Sequence, residues 1–204
     1  MIPPKLRNWL EKAKIKYEPI AHKTVYTAFD LARTARAKLE EVGKSLLVKV
    51  DDKYVVMVVP SHYKLDMAKI KKSLKAKKVE IARERIMKDK LRLQPGTMTP
   101  FTAIYPKLEK VSARAKKEAE HIPVYIDRAL VRSKQLLIAD GSFQDSIRLK
   151  TKDFLEHVEA TSGNYAVRDL RKKIQKAVKK TGKKIKKLEK KARKTAKKVR
   201  RSRR

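Results

Sequence analysis

A single lysine stands directly before the most apolar stretch of the sequence. Lys44 precedes residues 45–50, and after a short turn a second apolar run covers residues 54–59. This pattern predicts a buried hairpin, so the Lys44 ammonium should lie at the end of a buried sheet. A cation in that position can bind a phosphate or polarise a carbonyl group. The alternative is a solvated lysine that caps the strand, and the sequence alone leaves both interpretations open.

Two glycines occupy segments in which the chain must bend. Residues 94–101 contain Gly96 and two prolines, one of them Pro100, which predicts a loop with defined bends. Gly141 lies in a turn between two predicted strands. Glycine allows a ligand to approach the backbone closely, and neighbouring N–H groups can point at an oxyanion. Most such loops are only turns, which is the alternative here.

Several kinds of chemistry are disfavoured by what the sequence lacks. The chain has no cysteine, which excludes disulfide scaffolds, thiolate zinc sites and thiol nucleophiles. Its four histidines fall in different predicted elements without metal-ligand spacing, and it has no P-loop, GxGxxG or GxSxG motif. We therefore expect no metal and no cofactor. An enzyme built on this sequence would work without a thiol, a metal or a dinucleotide.

Positive charge is concentrated at the C-terminal end. The formal net charge is +34, and residues 168–204 contain 21 basic residues against two acids. So high a density of positive charge predicts a polyanionic partner, and nucleic acid is favoured over anionic lipid. The residues expected to contact RNA are Lys172, Lys173, Lys179, Lys180, Lys183, Lys184, Lys186, Lys187, Lys190, Lys191, Arg200 and Arg201. Since the longest purely apolar run is five residues, at 55–59, no membrane association is expected.

The predicted elements interleave helices with hairpins. Helices are expected near residues 4–15, from 28, across 65–74 and from Thr151, which should cap the last of them. Strands are expected at 17–21, 45–50, 54–59, 79–82, 124–126, 135–139 and 146–149. This order favours an α/β fold of the α+β type, a mixed sheet layered with helices. Residues 107–120 are interpreted as a surface insertion, residues 1–161 as the globular domain and residues 162–204 as a helical or disordered basic tail.

Seven short blocks follow one another along the first 158 residues. They are HKTVYTAFDLA, GKSLLVKVDDKYVVMVVP, KLD, KAKKVEIARERIM, PGTMTPF, IPVYIDRAL and DGSFQDSIRLK. In this order they resemble the YbaK/prolyl-tRNA-synthetase-associated editing domain family. The resemblance implies hydrolysis of the ester of mischarged aminoacyl-tRNA, most typically tRNA for proline charged with cysteine or alanine. It also implies possible association with an aminoacyl-tRNA synthetase, and a cytoplasmic location.

The resemblance also assigns roles to individual residues. Lys44 matches the family's functional lysine, and Gly96 with Pro100 matches its Gly-x-x-x-Pro loop around the ester. Gly141 matches the family's glycine turn near the pocket. Asp127 matches an acidic residue of the family, which we expect to have a structural role. Candidates for the side-chain pocket, each of which could equally belong to the core, are Val25, Tyr26, Met57 and Met98.

Two departures from the family pattern bear on specificity. Thr102 stands where the family usually has glycine, and residues 107–120 are an apparent insertion. The leading hypothesis is a metal-free, trans-acting aminoacyl-tRNA deacylase whose basic tail adds affinity for RNA or DNA without sequence preference. The alternative is a non-catalytic, chromatin-like or ribosome-associated protein that binds nucleic acid through the tail.

Overall fold

The computed structural model describes residues 2–24, 28–105 and 121–169. The elements in chain order are α1 (Pro4–Lys12), β1 (Tyr17–Ala21), α2 (Ala28–Thr34), β2 (Val42–Val50), β3 (Lys53–Pro60), β4 (Tyr63–Leu65), α3 (Met67–Leu74), β5 (Val79–Ile81), α4 (Glu84–Leu91), a 3-10 turn (Thr102–Ile104), β6 (Val124–Asp127), α5 (Arg128–Val131), β7 (Gln135–Ala139), β8 (Asp145–Lys150), α6 (Thr151–Val158), β9 (Thr161–Gly163) and β10 (Ala166–Arg168). In the described ranges, no helix is long and apolar enough to span a bilayer.

The fold is built on a mixed sheet centred on the predicted hairpin. Its strand order is β1-β8-β7-β2-β3-β6-β9, and β5 also pairs with β2. The β2–β3, β1–β8, β7–β8 and β2–β5 pairs are antiparallel, whereas β2–β7, β3–β6 and β6–β9 are parallel. Strands β10 and β4 form a second, two-stranded sheet. The predicted α/β class with a mixed sheet is thus confirmed.

Helices cover both faces of the sheet, because alternate residues of the central strands are apolar on both sides. Val56 and Val58 pack on the first face with residues of α1, α4, α5 and α6. Val55 and Met57 pack on the second face against Ile70 of α3. Helix α2 also packs on the second face, through its contact with Val42 and Leu137.

The sheet has a gap along one edge of β2. Val42 and Gly43 pair with β7, and Val48 to Val50 pair with β5. Among the strand pairs of the described residues, positions 44–46 have no partner on that edge. This interruption between β7 and β5, called the β2 gap below, leaves residues 44–46 without a neighbouring strand on that side.

Two local predictions differ from the structure. Thr151 is the first residue of α6 rather than its cap, and its hydroxyl donates a hydrogen bond to the Ser133 carbonyl instead. Leu65 lies in β4, and α3 starts only after Asp66, whose carboxylate accepts from the N–H groups of Ala68 and Lys69. The structure also contains α4, α5, β9 and β10, which the sequence pattern did not predict.

The globular unit extends to Val167, beyond the predicted boundary at residue 161. Asp127 explains the extension. One of its carboxylate oxygens caps α5 at Ala129, and the other accepts from the N–H groups of Tyr165 and Ala166 at 2.9 and 3.0 Å. These contacts give Asp127 the structural role expected of it. The predicted insertion at 107–120 lies outside the described residues, and so does the tail beyond Asp169.

Candidate functional site

The glycine loop is a tight turn that requires glycine. The N–H of Thr97 donates to the Gln94 carbonyl at 3.1 Å, which closes a four-residue turn. Pro95 and Gly96 occupy its centre, and Gly96 has φ of +94°. Proline followed by a residue with positive φ is the signature of a type II turn, in which a side chain at the second position is strained. A Cβ at Gly96 would also lie 3.2 Å from the Phe143 ring.

Pro100 is followed by a second bend. The N–H of Thr102 donates to the Pro100 carbonyl at 2.8 Å, and Phe101 between them has φ −76° and ψ 69°. These values define an inverse γ-turn. The Phe101 ring is fully buried between Trp9 and Phe154, with ring centroids 5.6 and 6.0 Å away. The loop is therefore anchored on the first face of the sheet, and its backbone conformation is fixed.

The Gly141 turn lies against this loop. A Cβ built on Gly141 would be 3.9 Å from the Thr97 carbonyl oxygen and 4.0 Å from Thr99 Cγ2. Gly141 has φ of +107°, again a conformation that favours glycine. The structure thus brings together two of the predicted segments, which are more than 40 residues apart in sequence.

Three backbone N–H groups in the Gly96 loop and the Gly141 turn lack a hydrogen-bond partner among the described residues, and of the three residues Met98 is buried. Within residues 2–24, 28–105 and 121–169, no acceptor is bonded to the amides of Gly96, Met98 or Gly141. Unpaired amides of this kind are the donors that stabilise an oxyanion. The role of the loop as a source of donors for an oxyanion stays a prediction, and Gly141 adds a third unpaired amide.

A buried carboxyl lies behind the two turns, and sequence reasoning did not single it out. Asp140 is fully buried, and its Oδ1 accepts from the Ser142 N–H at 2.8 Å. Its Oδ2 has no hydrogen-bond partner in the described parts of the chain, and the same holds for Thr99 Oγ1. Burial raises the pKa of the Asp140 carboxyl above its usual value, although the hydrogen bonds from Ser142 offset part of that rise.

Tyr105 connects this carboxyl with the loop. Its hydroxyl accepts from the Thr99 N–H at 2.9 Å and lies within donating distance of the Thr99 carbonyl, at 3.3 Å. Burial raises the pKa of the Tyr105 phenol, and the negative charge of Asp140 adds to the rise. The phenol is therefore neutral at physiological pH, and it holds the loop at Thr99 by two hydrogen bonds.

Lys44 lies at the β2 gap, one residue after the last β2–β7 pair. Its half-buried side chain donates through Nζ to the carbonyls of Ser61, at 3.4 Å, and Tyr63. A Cβ at the preceding Gly43 would contact Leu130 and Ile138 on the first face, so Lys44 projects from the second face. Lys44 is the third residue of β2, whereas the sequence predicted it directly before the strand, and its role in binding a ligand stays a prediction.

A row of residues crosses the second face at the level of Lys44. Gly43 pairs with Ile138, so Lys44 lies beside Ala139, which pairs in turn with Ser146 of β8. Along this row, one strand, β7, separates Lys44 of β2 from Ser146 of β8.

A serine–histidine pair ends this row. His22 Nε2 and Ser146 Oγ are 2.9 Å apart, and His22 Nδ1 is 3.0 Å from the Lys23 carbonyl oxygen. Because a carbonyl can only accept, Nδ1 carries a proton and donates to the Lys23 carbonyl, while Nε2 is hydrogen-bonded to the Ser146 hydroxyl. No local signal predicts this pair, since its members are 124 residues apart in sequence.

The sequence comparisons identify the family to which this arrangement belongs. A model of the aminoacyl-tRNA editing domain matches residues 22–157, about two thirds of the chain. The chain belongs to the aminoacyl-tRNA editing domain family. The match covers His22, the β2 gap, both glycine turns and Ser146, so all the segments described above fall inside the editing domain.

Curated relatives of this editing domain are proline–tRNA ligases. That of Macrococcus caseolyticus is 31% identical over 103 residues, which is 45% of this chain and 18% of the ligase. That of Staphylococcus haemolyticus is 26% identical over the same length. The chain therefore spans less than a fifth of the length of these relatives, and the similarity concerns one part of them.

Solved structures share the fold. A hypothetical protein superimposes with a TM-score of 0.67 at 16% identity. The superposition covers 80% of this chain and 99% of the hypothetical protein. A protein described as a candidate trans-editing enzyme for prolyl-tRNA synthetase superimposes with a TM-score of 0.62 at 17% identity, covering 82% and 99%. In both cases nearly the whole neighbour corresponds to the editing domain.

The structure places the two methionines that were predicted for the pocket of the editing domain on opposite faces of the sheet. Met57 is fully buried on the second face, beside Ile70 and Tyr165. Met98 packs in the cluster on the first face. The two methionines therefore cannot line one pocket by their side chains. Val25 and Tyr26 lie outside the described residues, as do the tail lysines and arginines named above.

Thr102 has a defined partner in the editing domain. Its buried hydroxyl donates to the Ile122 carbonyl at 2.8 Å, which joins the end of the glycine loop to the start of β6. The side chain that replaces the family's usual glycine is thus engaged in a structural hydrogen bond. No group of three or more metal-ligating side chains occurs within the described ranges.

Proposed function

We propose that the chain is a trans-acting deacylase that hydrolyses the ester of mischarged aminoacyl-tRNA, with tRNA for proline carrying alanine or cysteine as the expected substrate. One observation carries the proposal. In a member of the editing domain family, two glycine turns with unpaired amides lie against each other, and the Gly141 turn follows β7, the strand that pairs with β2 next to Lys44. The curated relatives are proline–tRNA ligases, which supports proline tRNA as the substrate class.

The proposed reaction uses water, the ribose hydroxyl of the tRNA, backbone amides of the two glycine turns and the Lys44 ammonium. Water attacks the ester carbonyl carbon, and the resulting oxyanion accepts hydrogen bonds from amides of the Gly96 loop and the Gly141 turn. The C–O bond then breaks, releasing the free amino acid and the terminal ribose hydroxyl of the tRNA. Lys44 anchors a phosphate or the surroundings of the ester on the second face, and the ribose hydroxyl of the tRNA itself assists proton transfer.

Ser146 and His22 border the same space and have a positioning role in this proposal. The hydrogen bond between them joins β8 to the residue that follows β1 and fixes the orientation of the His22 ring. Since Ser146 is fully buried in the free protein, we do not assign it as a nucleophile.

A panel of purified mischarged and correctly charged tRNAs tests the proposal. The expected result is enzyme-dependent loss of the ester from at least one mischarged tRNA, at a rate that EDTA leaves unchanged. Loss of activity with EDTA and its recovery with zinc would contradict the metal-free mechanism. We place the activity in the cytoplasm, where aminoacyl-tRNA is used.

The second candidate is a non-catalytic nucleic-acid-binding protein. The observation that favours it is the charge of residues 168–204, where basic residues exceed acids by 19. Binding of uncharged tRNA without deacylation of any member of the panel would favour this candidate over the first. Association with an aminoacyl-tRNA synthetase remains compatible with both.

A further inference from the structure

Helix α3 and the segments on either side of it form a strongly basic surface on the globular unit. Residues 64–78 contain seven lysines and one acid, a net charge of +6 in 15 residues. By comparison, residues 5–18 contain five basic residues and two acids, a net charge of +3 in 14 residues. The exposed residues that define this surface, called the α3 patch below, are Lys64, Lys69, Lys71, Lys72, Lys75 and Lys77.

The acids around the α3 patch are already engaged. The Asp66 carboxylate caps α3, and Asp51 accepts from the N–H groups of Lys77 and Lys78 at 2.7 to 3.3 Å. Glu80 pairs with the Lys78 ammonium at 3.1 Å, which lowers the pKa of Glu80. Asp52, at the tip of the β2–β3 hairpin, is a further exposed acid.

Most of the patch ammonium groups are unpaired. Within the ranges that the structure describes, the side chains of Lys64, Lys71, Lys72, Lys75 and Lys77 have neither an ion pair nor a hydrogen bond. Like charges on neighbouring turns of a helix repel one another, and no acid in the described ranges forms an ion pair with these five lysines. Such a surface is favourable when a polyanion neutralises it.

The apolar residues of α3 point away from this surface. Ile70 is fully buried, and Met67 and Leu74 pack against the same cluster on the second face of the sheet. A helix that lies on a membrane needs its apolar side exposed to lipid. Among the described residues the one exposed large hydrophobic side chain is Ile81, on β5. A single residue of this kind does not make an apolar face, so the surface suits a polyanion in water.

We propose that the α3 patch binds the sugar-phosphate backbone of tRNA, as a docking surface in the globular unit that acts in addition to the basic tail. This inference rests on the proposed function, since it assigns to the substrate tRNA a second place of contact. An eight-residue helix is about 12 Å long, enough to contact several phosphates along a strand. Lysine contacts phosphate as a point charge without reading bases, so the patch binds different tRNAs alike.

A matched pair of triple variants of the full chain tests the proposal. Lys71→Gln/Lys72→Gln/Lys77→Gln removes three charges from the patch, and Lys5→Gln/Lys12→Gln/Lys16→Gln removes three exposed charges from α1 and its flank. The patch set removes two lysines from the last turn of its helix and the control set removes one, so the patch variant should lose slightly more helix stability. The probe is a fluorescent, uncharged proline tRNA transcript, and its Kd is measured by anisotropy at 0.05 to 0.2 M KCl. Melting temperatures above the assay temperature verify that both variants are folded.

The patch variant should show a log–log salt slope that is flatter by about 2 to 3 units, since each neutralised phosphate contributes roughly 0.7 to 0.9. A change of 2 units makes the loss of affinity over this fourfold salt range about 16-fold smaller. The α1 variant should keep a slope close to that of the unchanged protein. A second tRNA of different sequence should give the same differences.

Three results would overturn the proposal. The first is an unchanged slope in the patch variant, and the second is an equal loss of slope in both variants, which would make the effect one of net charge. The third is loss of binding to phosphatidylserine vesicles with tRNA binding retained, which would assign the patch to a membrane surface. Failure of the proposed function is distinguishable, because it would appear as absence of deacylation while patch-dependent binding of uncharged tRNA persisted.

Discussion

Replacing Lys44 by methionine separates its structural contribution from its chemical one. Methionine keeps most of the length of the side chain and removes the ammonium that donates to the Ser61 and Tyr63 carbonyls. Leaving those partly buried acceptors without their donor should cost about 1 to 3 kcal/mol of folding stability. For a domain of this size that lowers the melting temperature by about 2 to 12 °C, which leaves the protein folded at 25 °C.

The chemical contribution is measured separately as kcat/KM. If the same ammonium contacts the phosphate or the ester in the transition state, a charge-assisted contact of roughly 1.5 to 3 kcal/mol is lost. This corresponds to a decrease in kcat/KM of about tenfold to 150-fold. The assay follows release of labelled alanine from alanyl-tRNA for proline at 25 °C, with the rate divided by the folded fraction.

Lys49→Met is the matched control for this measurement. Lys49 lies on the same strand, is half-buried like Lys44, and pairs in the sheet with Tyr54 and Glu80, away from the glycine turns. Its replacement should leave kcat/KM within about twofold of the original value. A Lys44→Met protein with the original kcat/KM, or equal losses in both variants, would refute the role given to Lys44.

Three further perturbations have defined outcomes. Gly141→Ala places a side chain at φ +107°, which costs about 1 to 2 kcal/mol, so the melting temperature should fall by several degrees and kcat/KM with it; an unchanged melting temperature would contradict the strained turn. Asp140→Asn should remove a pH dependence of the folding stability. Because the pKa of Asp140 is raised in the folded state, the original protein is most stable relative to the variant below the usual pKa of about 3.8, and it loses that advantage as the pH rises. Urea midpoints of the two proteins that run parallel from pH 4 to 7 would refute this. Truncation after Asp169 spares β10 and removes the basic tail. The KM for aminoacyl-tRNA should rise and the log–log slope of KM against salt should flatten by about 3 to 4 units, with kcat unchanged. An unchanged slope would show that the tail does not contact tRNA.

The parts of the fold that the sequence predicted correctly are those with a strong local period. The hairpin at 45–59 was predicted by its apolar runs and short turn, and β2–β3 reproduces it, with Lys44 inside β2 rather than before it. Gly96 and Gly141 were predicted in turns, and their positive φ angles explain why glycine stands there. In each case the determining interactions lie within a few residues of one another.

The features that were missed depend on contacts between distant segments or on weak local signals. Strands β9 and β10 have three residues each, too short to show a hydrophobic period. Strand β9 is held by pairing with β6, and the start of β10 by hydrogen bonds to the Asp127 carboxylate, about 38 residues earlier. Helix α4 carries one detectable signal, the buried Met87 and Leu91 at a spacing of four, but charged residues surround it.

The candidate site shows the same division. An Asp–Gly pair predicts a turn, but nothing in it predicts that the Asp140 carboxyl is buried beside Thr99 and Tyr105. The hydrogen bond between Ser146 and His22 arises from the pairing of β1 with β8 at the edge of the sheet. Sequence spacing therefore located the lysine and the glycines, whereas the polar groups around them became visible only in the three-dimensional structure.

The most direct test of the central claim is the first-order rate at which the purified full chain releases amino acid from alanyl-, cysteinyl- and prolyl-tRNA for proline. If the chain is an editing deacylase, it hydrolyses at least one mischarged ester well above the spontaneous rate and spares prolyl-tRNA. Lys44→Met should then slow the reaction by at least about tenfold. Rates equal to the spontaneous ones for all three esters, at enzyme concentrations that bind the tRNA, would contradict the claim.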